Sequence, residues 1–179
     1  MFPTRRLIAL LASLALLAAL AGATVASGPP HASATFVDAA GTTVGWARLV
    51  EDATGRVHVN VHVAGLAPGL HGIHIHSVGA CAPDFGAAGG HYNPLTHQHG
   101  LDNPAGPHAG DLPNLVVNGA GIGHLDATTD RVTLSPGLAT LLDTNGSAFI
   151  IHANPDDQVT DAGNGGSGAR IACAVIESD

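Results

Sequence analysis

From about residue 33 onward, polar and apolar residues alternate in short runs, which is the pattern of half-buried β-strands. The clearest run is 56–63, where valines occupy every second position and polar residues fill the others. Strands are predicted at 33–37, 42–50, 56–63, 70–77, 115–117, 121–125, 131–133, 148–152 and 170–176. Turns rich in Gly and Pro separate them, and helical periodicity is lacking. The pattern therefore predicts an all-β sandwich or barrel.

The stretch 71–111 concentrates the candidate chemistry. His74 and His76 flank Ile75, and residues two apart on a strand point to the same face. Two imidazoles would therefore stand side by side on a rigid element. The segment that follows is rich in Gly, Pro and Asn and carries four more candidate ligands: His91, His99, His108 and Asp111. A loop of this length is uncommon unless it is functional, and metal coordination would order it.

The first 26 residues have the character of a secretory signal peptide. A basic head at 1–6 precedes an apolar run at 7–20, and small residues then provide a cleavage site after Ala23, Ala26 or Ala34. We therefore predict a signal peptide at 1–26, a flexible leader at 27–34 and one domain at 35–179, exported to the periplasm or secreted. The alternative is a retained membrane anchor, because the apolar run nears the roughly 20 residues that span a bilayer.

Export changes the interpretation of the two cysteines, Cys81 and Cys173. Two cysteines in an oxidising compartment are expected to pair. The closed loop would contain about 90 residues, and the chain-entropy model gives it a stabilisation on the order of 4–5 kcal/mol. Two buried free thiols are the alternative. A bridge would attach the start of the histidine-rich loop to the last predicted strand.

Charge excludes several classes of partner. All six basic residues are arginines, and two of them precede the predicted cleavage site. Four arginines then remain against fourteen acidic residues, a formal charge of −10. Such a chain is not expected to bind nucleic acid, or a membrane once the signal is removed.

Six motifs, taken together and in this order, resemble the copper/zinc superoxide dismutase family. The resemblance covers about 33–176 and includes both cysteines. The motifs are His71-Gly72-Ile73-His74-Ile75-His76, Gly90-His91-Tyr92-Asn93-Pro94-Leu95, His99-Gly100, His108-Ala109-Gly110-Asp111-Leu112, Ile151-His152 and Gly168-Ala169-Arg170-Ile171-Ala172-Cys173.

The resemblance implies a flattened eight-stranded Greek-key β-barrel with two long functional loops. It implies that copper and zinc are the cofactors and that His91 bridges them. The implied copper ligands are His74, His76, His91 and His152. The implied zinc ligands are His91, His99, His108 and Asp111.

Three further features carry over by the same resemblance. Asp156 matches the carboxylate that links a copper histidine to a zinc histidine, and Arg170 matches the arginine beside the copper. Cys81 and Cys173 match the intrasubunit disulfide. The implied activity is dismutation of superoxide by Cu(II)/Cu(I) cycling, in which Arg170 attracts the anion and His91 carries a proton.

The remaining histidines are interpreted as ordinary surface or core residues: His31, His58, His62, His97 and His124. His97 lies in the same loop as His99 and could compete as a ligand, but His99 is the one in register with the motif. His71 is expected to brace its strand through backbone hydrogen bonds.

The loop at 157–168 departs from the family pattern, because it is short and lacks the lysines that steer superoxide in eukaryotic members. We expect a rate that depends less on ionic strength than in those members. Short loops resemble the bacterial exported forms. Two other functional classes are a non-enzymatic extracytoplasmic copper/zinc-binding protein and a silent structural domain. A homodimer is an open expectation, since the sequence identifies no interface.

Overall fold

The computed structural model describes residues 28–162 and 164–179, and within them the protein is all-β. Nine strands lie in one antiparallel sheet: β1 (His31–Asp38), β2 (Thr43–Glu51), β3 (Val57–Ala64), β4 (Gly69–His71), β5 (Ile73–His76), β6 (Leu115–Val117), β7 (Ile122–Thr129), β8 (Ser147–His152) and β9 (Arg170–Ser178). Two single 3₁₀ turns, Phe85–Ala88 and Asn164–Gly166, interrupt the long loops.

The alternating pattern places the core on one face of the sheet. All four valines of β3 are buried, as the periodicity predicted. They share the interior with large side chains from β1, β2 and β8, among them Phe36, Leu49 and Phe149. The rings of Phe36 and Phe149 contact each other across the barrel, with centroids 5.9 Å apart.

The sheet closes on itself at Gly72, which confirms the predicted barrel but raises the strand count. The order β4-β6-β7-β3-β2-β1-β9-β8-β5 puts β4 and β5 at opposite ends, yet only Gly72 separates them in the chain. Its N–H donates to Asn154 O at 2.8 Å, and its carbonyl accepts from His152 N at 2.8 Å. A Cβ here would lie 2.8 Å from Ser167 Cβ. The single strand expected at 70–77 is therefore divided into β4 and β5.

Two expectations about where strands and the domain begin differ from the structure. β1 begins at His31, four residues before the predicted domain start, because His31 pairs with Val50 and Ala32 pairs with Ser178. Residues 31–34 therefore belong to the barrel and not to a leader. The strand predicted at 131–133 is wrong, because this segment forms only a single bridge between Thr133 and Thr140.

The predicted signal peptide at 1–26 lies outside the described residues. Among the residues that the structure describes, no helix is long and apolar enough to cross a membrane.

Candidate metal centre

Two neighbouring strands supply the first three histidines. β5 pairs with β8 so that Ile73 lies opposite Ile151, which brings His152 beside His74 and His76. The three imidazoles are almost fully enclosed, with at most 2% of each residue exposed. Ile73 and Ile75 point the other way into the hydrophobic core, as the period of two predicted.

The loop at 77–114 runs beside β5 and brings the remaining histidines to it. Ile75 N–H donates to Gly110 O, and Tyr92 N–H donates to Ile75 O, both at 2.8 Å. A Cβ on Gly110 would lie 2.3 Å from Ile75 O, so glycine is required for this approach. The loop is thereby fixed against a strand along two of its segments.

Four buried ring nitrogens converge without a hydrogen-bond partner. They are His74 Nδ1, His76 Nε2, His91 Nε2 and His152 Nε2. Ligand atoms of these four histidines lie within 4.8 Å of one another. Buried polar atoms are almost always paired, so four unpaired nitrogens facing one point fit a metal ion.

The opposite nitrogen of three of these rings is held by the protein. His76 Nδ1 lies 2.9 Å from Gly89 O, and His152 Nδ1 lies 3.0 Å from Gly168 O. His74 Nε2 lies 2.6 Å from Asp156 Oδ2. These acceptors keep the ring proton on the outer nitrogen, so the lone pair of the inner nitrogen is free to coordinate.

A second group of ligand atoms surrounds Asp111 Oδ1. This oxygen lies 3.0 Å from His91 Nδ1, 3.0 Å from His99 Nδ1 and 3.4 Å from His108 Nδ1. His108 Nδ1 and His91 Nδ1 are 3.3 Å apart. An ion about 2.0–2.1 Å from each ligand requires tetrahedral ligands to be about 3.3–3.4 Å apart, and these separations match or fall slightly short of that value.

The second oxygen of Asp111 is occupied by the backbone. Oδ2 accepts the N–H groups of Gly100 and His108, both at 2.9 Å. This pair of bonds aims Oδ1 at the three imidazoles. His91 belongs to both groups, because Nδ1 faces Asp111 while Nε2 faces the four-histidine cluster.

Asp156 links the two groups from behind. Its carboxylate contacts His74 Nε2 at 2.6 Å and His99 Nε2 at 2.9 Å. Its backbone is held in turn by Asn114, which accepts from Asp156 N and donates to Asp156 O, both at 2.8 Å. Asp161 accepts the N–H of His99 at 2.7 Å. Asn114 and Asp161 were not predicted, since an Asn or Asp in a turn carries no signal of a distant partner.

Arg170 lies at the edge of the four-histidine cluster. Its Nη1 donates to Phe85 O at 2.5 Å and its Nη2 to Gly89 O at 2.6 Å. Gly89 O is also the acceptor for His76, so the guanidinium and a cluster histidine share one carbonyl. This arrangement fixes a positive charge next to the cluster.

The predicted disulfide is confirmed and supports that arrangement. Cys81 and Cys173 are bonded across a sequence separation of 92, with Cα atoms 5.8 Å apart. Cys173 lies on β9, three residues after Arg170, and Cys81 lies four residues before Phe85. The bridge therefore ties together the two segments that hold the guanidinium in place.

Burial makes the cluster histidines weak bases. It lowers the pKa of His74 to about 3, of His76 to about 2 and of His152 to about 4. Burial also acts to lower the pKa of His99, but hydrogen bonds to Asp111 and Asp156 outweigh it and raise that pKa to about 9. The cluster imidazoles are therefore neutral at neutral pH, which is the form that binds a metal.

The carboxylate at the centre of the second group is ionised. Burial acts to raise the pKa of Asp111, but hydrogen bonds to His108, His91 and His99 outweigh it and hold the pKa well below the usual range. Asp156 behaves in the same way through its bonds to His74 and His99. Two negative charges thus face the imidazoles, which favours a bound cation.

His97 and His71 lie outside the two ligand groups. His97 is exposed and its Nδ1 lies 3.2 Å from Pro107 O, so His99 and not His97 reaches Asp111. His71 lies between two backbone carbonyls, 2.7 Å from His152 O and 2.8 Å from Ala67 O. It braces the end of β4 against the end of β8.

Comparison with known proteins gives consistent matches over the barrel. A family model described as copper/zinc superoxide dismutase matches residues 43–176. Superoxide dismutase [Cu-Zn] 1 of Aquifex aeolicus is 40% identical over 148 residues, covering 80% of this chain and 86% of the relative. Superoxide dismutase-like protein YojM of Bacillus subtilis is 40% identical over 144 residues, covering 79% of this chain and 73% of the relative.

A solved structure matches as well. A crystal structure of a double mutant of a SOD-like protein from Bacillus subtilis aligns with a TM-score of 0.76 at 41% identity. The alignment covers 80% of this chain and 95% of that one.

Proposed function

This chain belongs to the copper/zinc superoxide dismutase family, and we propose that it converts superoxide into dioxygen and hydrogen peroxide. The observation that carries the proposal is the convergence of four unpaired imidazole nitrogens on one point, with one of the four rings, His91, also facing a second ligand group. A single ring between two ligand groups is what a two-metal site with a bridging imidazole requires.

The donor atoms indicate which metal each group would hold. Four imidazole nitrogens suit copper, which nitrogen ligands bind in both oxidation states. Its ligands would be His74, His76, His91 and His152. Three imidazoles and a carboxylate form a closed tetrahedral set, which suits zinc. Its ligands would be His91, His99, His108 and Asp111.

The reaction consumes two superoxide ions and two protons and releases one dioxygen and one hydrogen peroxide. When bound, copper would supply the one-electron exchange between the two superoxide ions, and zinc would supply a fixed positive charge on the far side of His91. Arg170 attracts the anion and offers donors to it beside the cluster. His91 Nε2 faces the cluster and is placed to hold one of the two protons and give it to the product.

Dismutation by the protein loaded with copper and zinc tests the proposal. We expect fast superoxide consumption, and we expect His74→Ala to remove it because the cluster then lacks one nitrogen. His97→Ala is the matched control, because it removes an exposed histidine from the same loop without touching either group. Both variants must be shown to carry an intact disulfide.

A metal-binding protein without turnover is the alternative, and one relative is named only as superoxide dismutase-like. The same dismutation assay distinguishes the two functions. A protein that holds both metals and its disulfide yet consumes no superoxide would overturn the enzyme proposal and favour metal storage.

We further propose that the protein is exported. The disulfide between Cys81 and Cys173 supports this, since such bonds persist mainly in oxidising compartments. Cell fractionation followed by mass measurement of the N-terminus tests it. A cytosolic protein that retains residues 1–26 would contradict the proposal.

A further inference from the structure

A row of aromatic side chains crosses the outer face of the barrel, away from the core. Trp46 on β2 lies directly opposite His62 on β3, and His62 lies directly opposite His124 on β7. The ring centroids of Trp46 and His62 are 4.4 Å apart, and those of His62 and His124 are 4.3 Å apart. Three neighbouring strands of the sheet therefore present a row of adjacent, tilted rings on one surface.

A carboxylate orients the last ring of this row. His124 Nε2 lies 2.6 Å from Asp126 Oδ2. Asn60 lies opposite Asp126 on the neighbouring strand and donates to its other carboxylate oxygen. In known metal sites, a carboxylate placed in this way keeps the proton of a ligating histidine on the nitrogen that faces it. It leaves His124 Nδ1 with a free lone pair.

The rings of His62 and His124 lie as close together as rings within the candidate metal centre. Ring centroids of histidine pairs inside the candidate metal centre lie between 4.0 and 6.4 Å apart, and the 4.3 Å between His62 and His124 falls within that range. The rings are tilted by 43°, so they are not stacked flat against each other. Directly opposite strand residues are also held in register by the sheet, so little ordering is needed for chelation.

The surroundings favour a cation. The side chains of His124 and Asp126 are 46% and 69% exposed, so an ion can reach them from solvent without a conformational change. Asp126 adds a negative charge, and the whole chain is acidic, with a formal charge of −8. Two imidazoles with a nearby carboxylate select borderline divalent transition metals, among which Cu(II) binds most tightly.

We propose that His62 and His124, positioned by Asp126, bind a divalent transition-metal ion on the outer face of the barrel. This site is separate from the two ligand groups around His91 and would hold one further ion per chain. From the sequence alone both histidines were expected to be ordinary surface or core residues, and the 62 positions between them give no sign that they are neighbours.

Trp46 is the only tryptophan in the chain and reports on this site directly. Protein first saturated with copper and zinc and freed of excess metal is titrated with Cu(II) while its tryptophan emission is recorded. We expect quenching that saturates at one additional equivalent, because a paramagnetic ion on His62 lies one ring away from the indole. Equilibrium dialysis should count one more copper per chain.

Four variants make the test specific. His62→Ala and His124→Gln each remove one of two ligands, so each should lose the extra copper and weaken its binding by more than about 100-fold. Asp126→Asn should weaken it about tenfold, as loss of a ligand's orienting partner does. His58→Ala is the control, because His58 is exposed on the same face of β3 but contacts Asp52 instead. Dismutase activity should be unchanged in all four.

Several outcomes would overturn the proposal. Quenching that rises in proportion to Cu(II) without saturating would indicate collisions only. An additional copper that persists in both His62→Ala and His124→Gln would place it elsewhere. Because the dialysis count does not depend on turnover, it remains decisive even if the metal-loaded protein has no dismutase activity.

Discussion

The carboxylate of Asp156 lies 2.6 Å from Nε2 of His74, and both side chains are fully enclosed by protein. The same carboxylate reaches His99 at 2.9 Å, so one buried charge orients a histidine of each ligand group. The two groups are therefore coupled through a residue that neither metal would contact.

Asp156→Asn should weaken the binding of both metals. We expect copper and zinc affinities to fall by about 10- to 100-fold, because the amide no longer strengthens the two imidazoles as bases. Metal content after dialysis against a chelator measures the effect. Asp157→Asn is the matched control, since the Asp157 carboxylate bonds only to its own turn at Val159 and Thr160. Equal metal retention in the two variants would contradict the role given to Asp156.

Arg170→Lys should lower kcat/KM for superoxide by about tenfold to a hundredfold while both metals stay bound. A lysine keeps the charge but cannot span the carbonyls of Phe85 and Gly89 as the planar guanidinium does. Arg48→Gln is the control, since it removes one positive charge from an exposed position on β2. A loss in Arg48→Gln with no loss in Arg170→Lys would mean that overall charge, and not the placement of Arg170, sets the rate.

Replacing Cys81 and Cys173 by serine should reduce the free energy of unfolding by up to about 4–5 kcal/mol, the value for a closed loop of this length. Denaturant titration measures it. Activity should also fall in the folded variant, because the segment that carries Phe85 O and Gly89 O then loses its covalent link to β9 and is held there only by Arg170 itself. Full activity without the disulfide would show that Arg170 holds its place unaided.

The metal-free protein should lose stability as the pH falls below about 6.5. His74, His76 and His152 have folded pKa values of about 3, 2 and 4, whereas the unfolded chain takes up their protons near 6.5. The unfolded state therefore binds more protons in this pH window. The free energy of unfolding falls by about 1.4 kcal/mol for each histidine per unit decrease in pH. Denaturant titrations between pH 4 and 6.5 measure the slope, and a constant unfolding free energy would contradict it.

His99 acts in the opposite direction at higher pH. Because the pKa of His99 is raised to about 9, its contribution to the stability of the fold is fully present below pH 6.5 and is lost as the pH rises through 9. The His99→Gln variant should lose this alkaline decline.

Added salt should leave kcat/KM nearly unchanged or raise it slightly. The predicted mature chain carries four arginines against fourteen acidic residues, so its overall charge repels superoxide. Salt screens that repulsion as well as the local attraction of Arg170. Steady-state rates between low and moderate ionic strength measure the balance. A steep fall with added salt would reveal long-range steering that the charge count does not indicate.

The local sequence pattern predicted much of this protein's structure. The period of two in 56–63 predicted which valines face the core, and His74-Ile75-His76 predicted two imidazoles on one face, because side-chain direction on a strand depends only on position. The identity and order of the candidate metal ligands can also be taken directly from the amino-acid sequence. The barrel followed from the alternating runs, and the disulfide between Cys81 and Cys173 followed from the presence of two cysteines in a chain predicted to be exported. The preference for His99 over His97 followed from the resemblance to the family motif.

Other features arise from contacts between residues far apart in the chain. Gly72 splits a strand because its carbonyl and N–H pair with residues near the end of β8, and Asn114 reaches the backbone of Asp156 across 42 positions. The row of Trp46, His62 and His124 exists only because three strands pair in one register. Periodicity specifies the face on which a side chain lies, but hydrogen bonding between strands specifies its neighbour, and that register is set by the packed barrel as a whole.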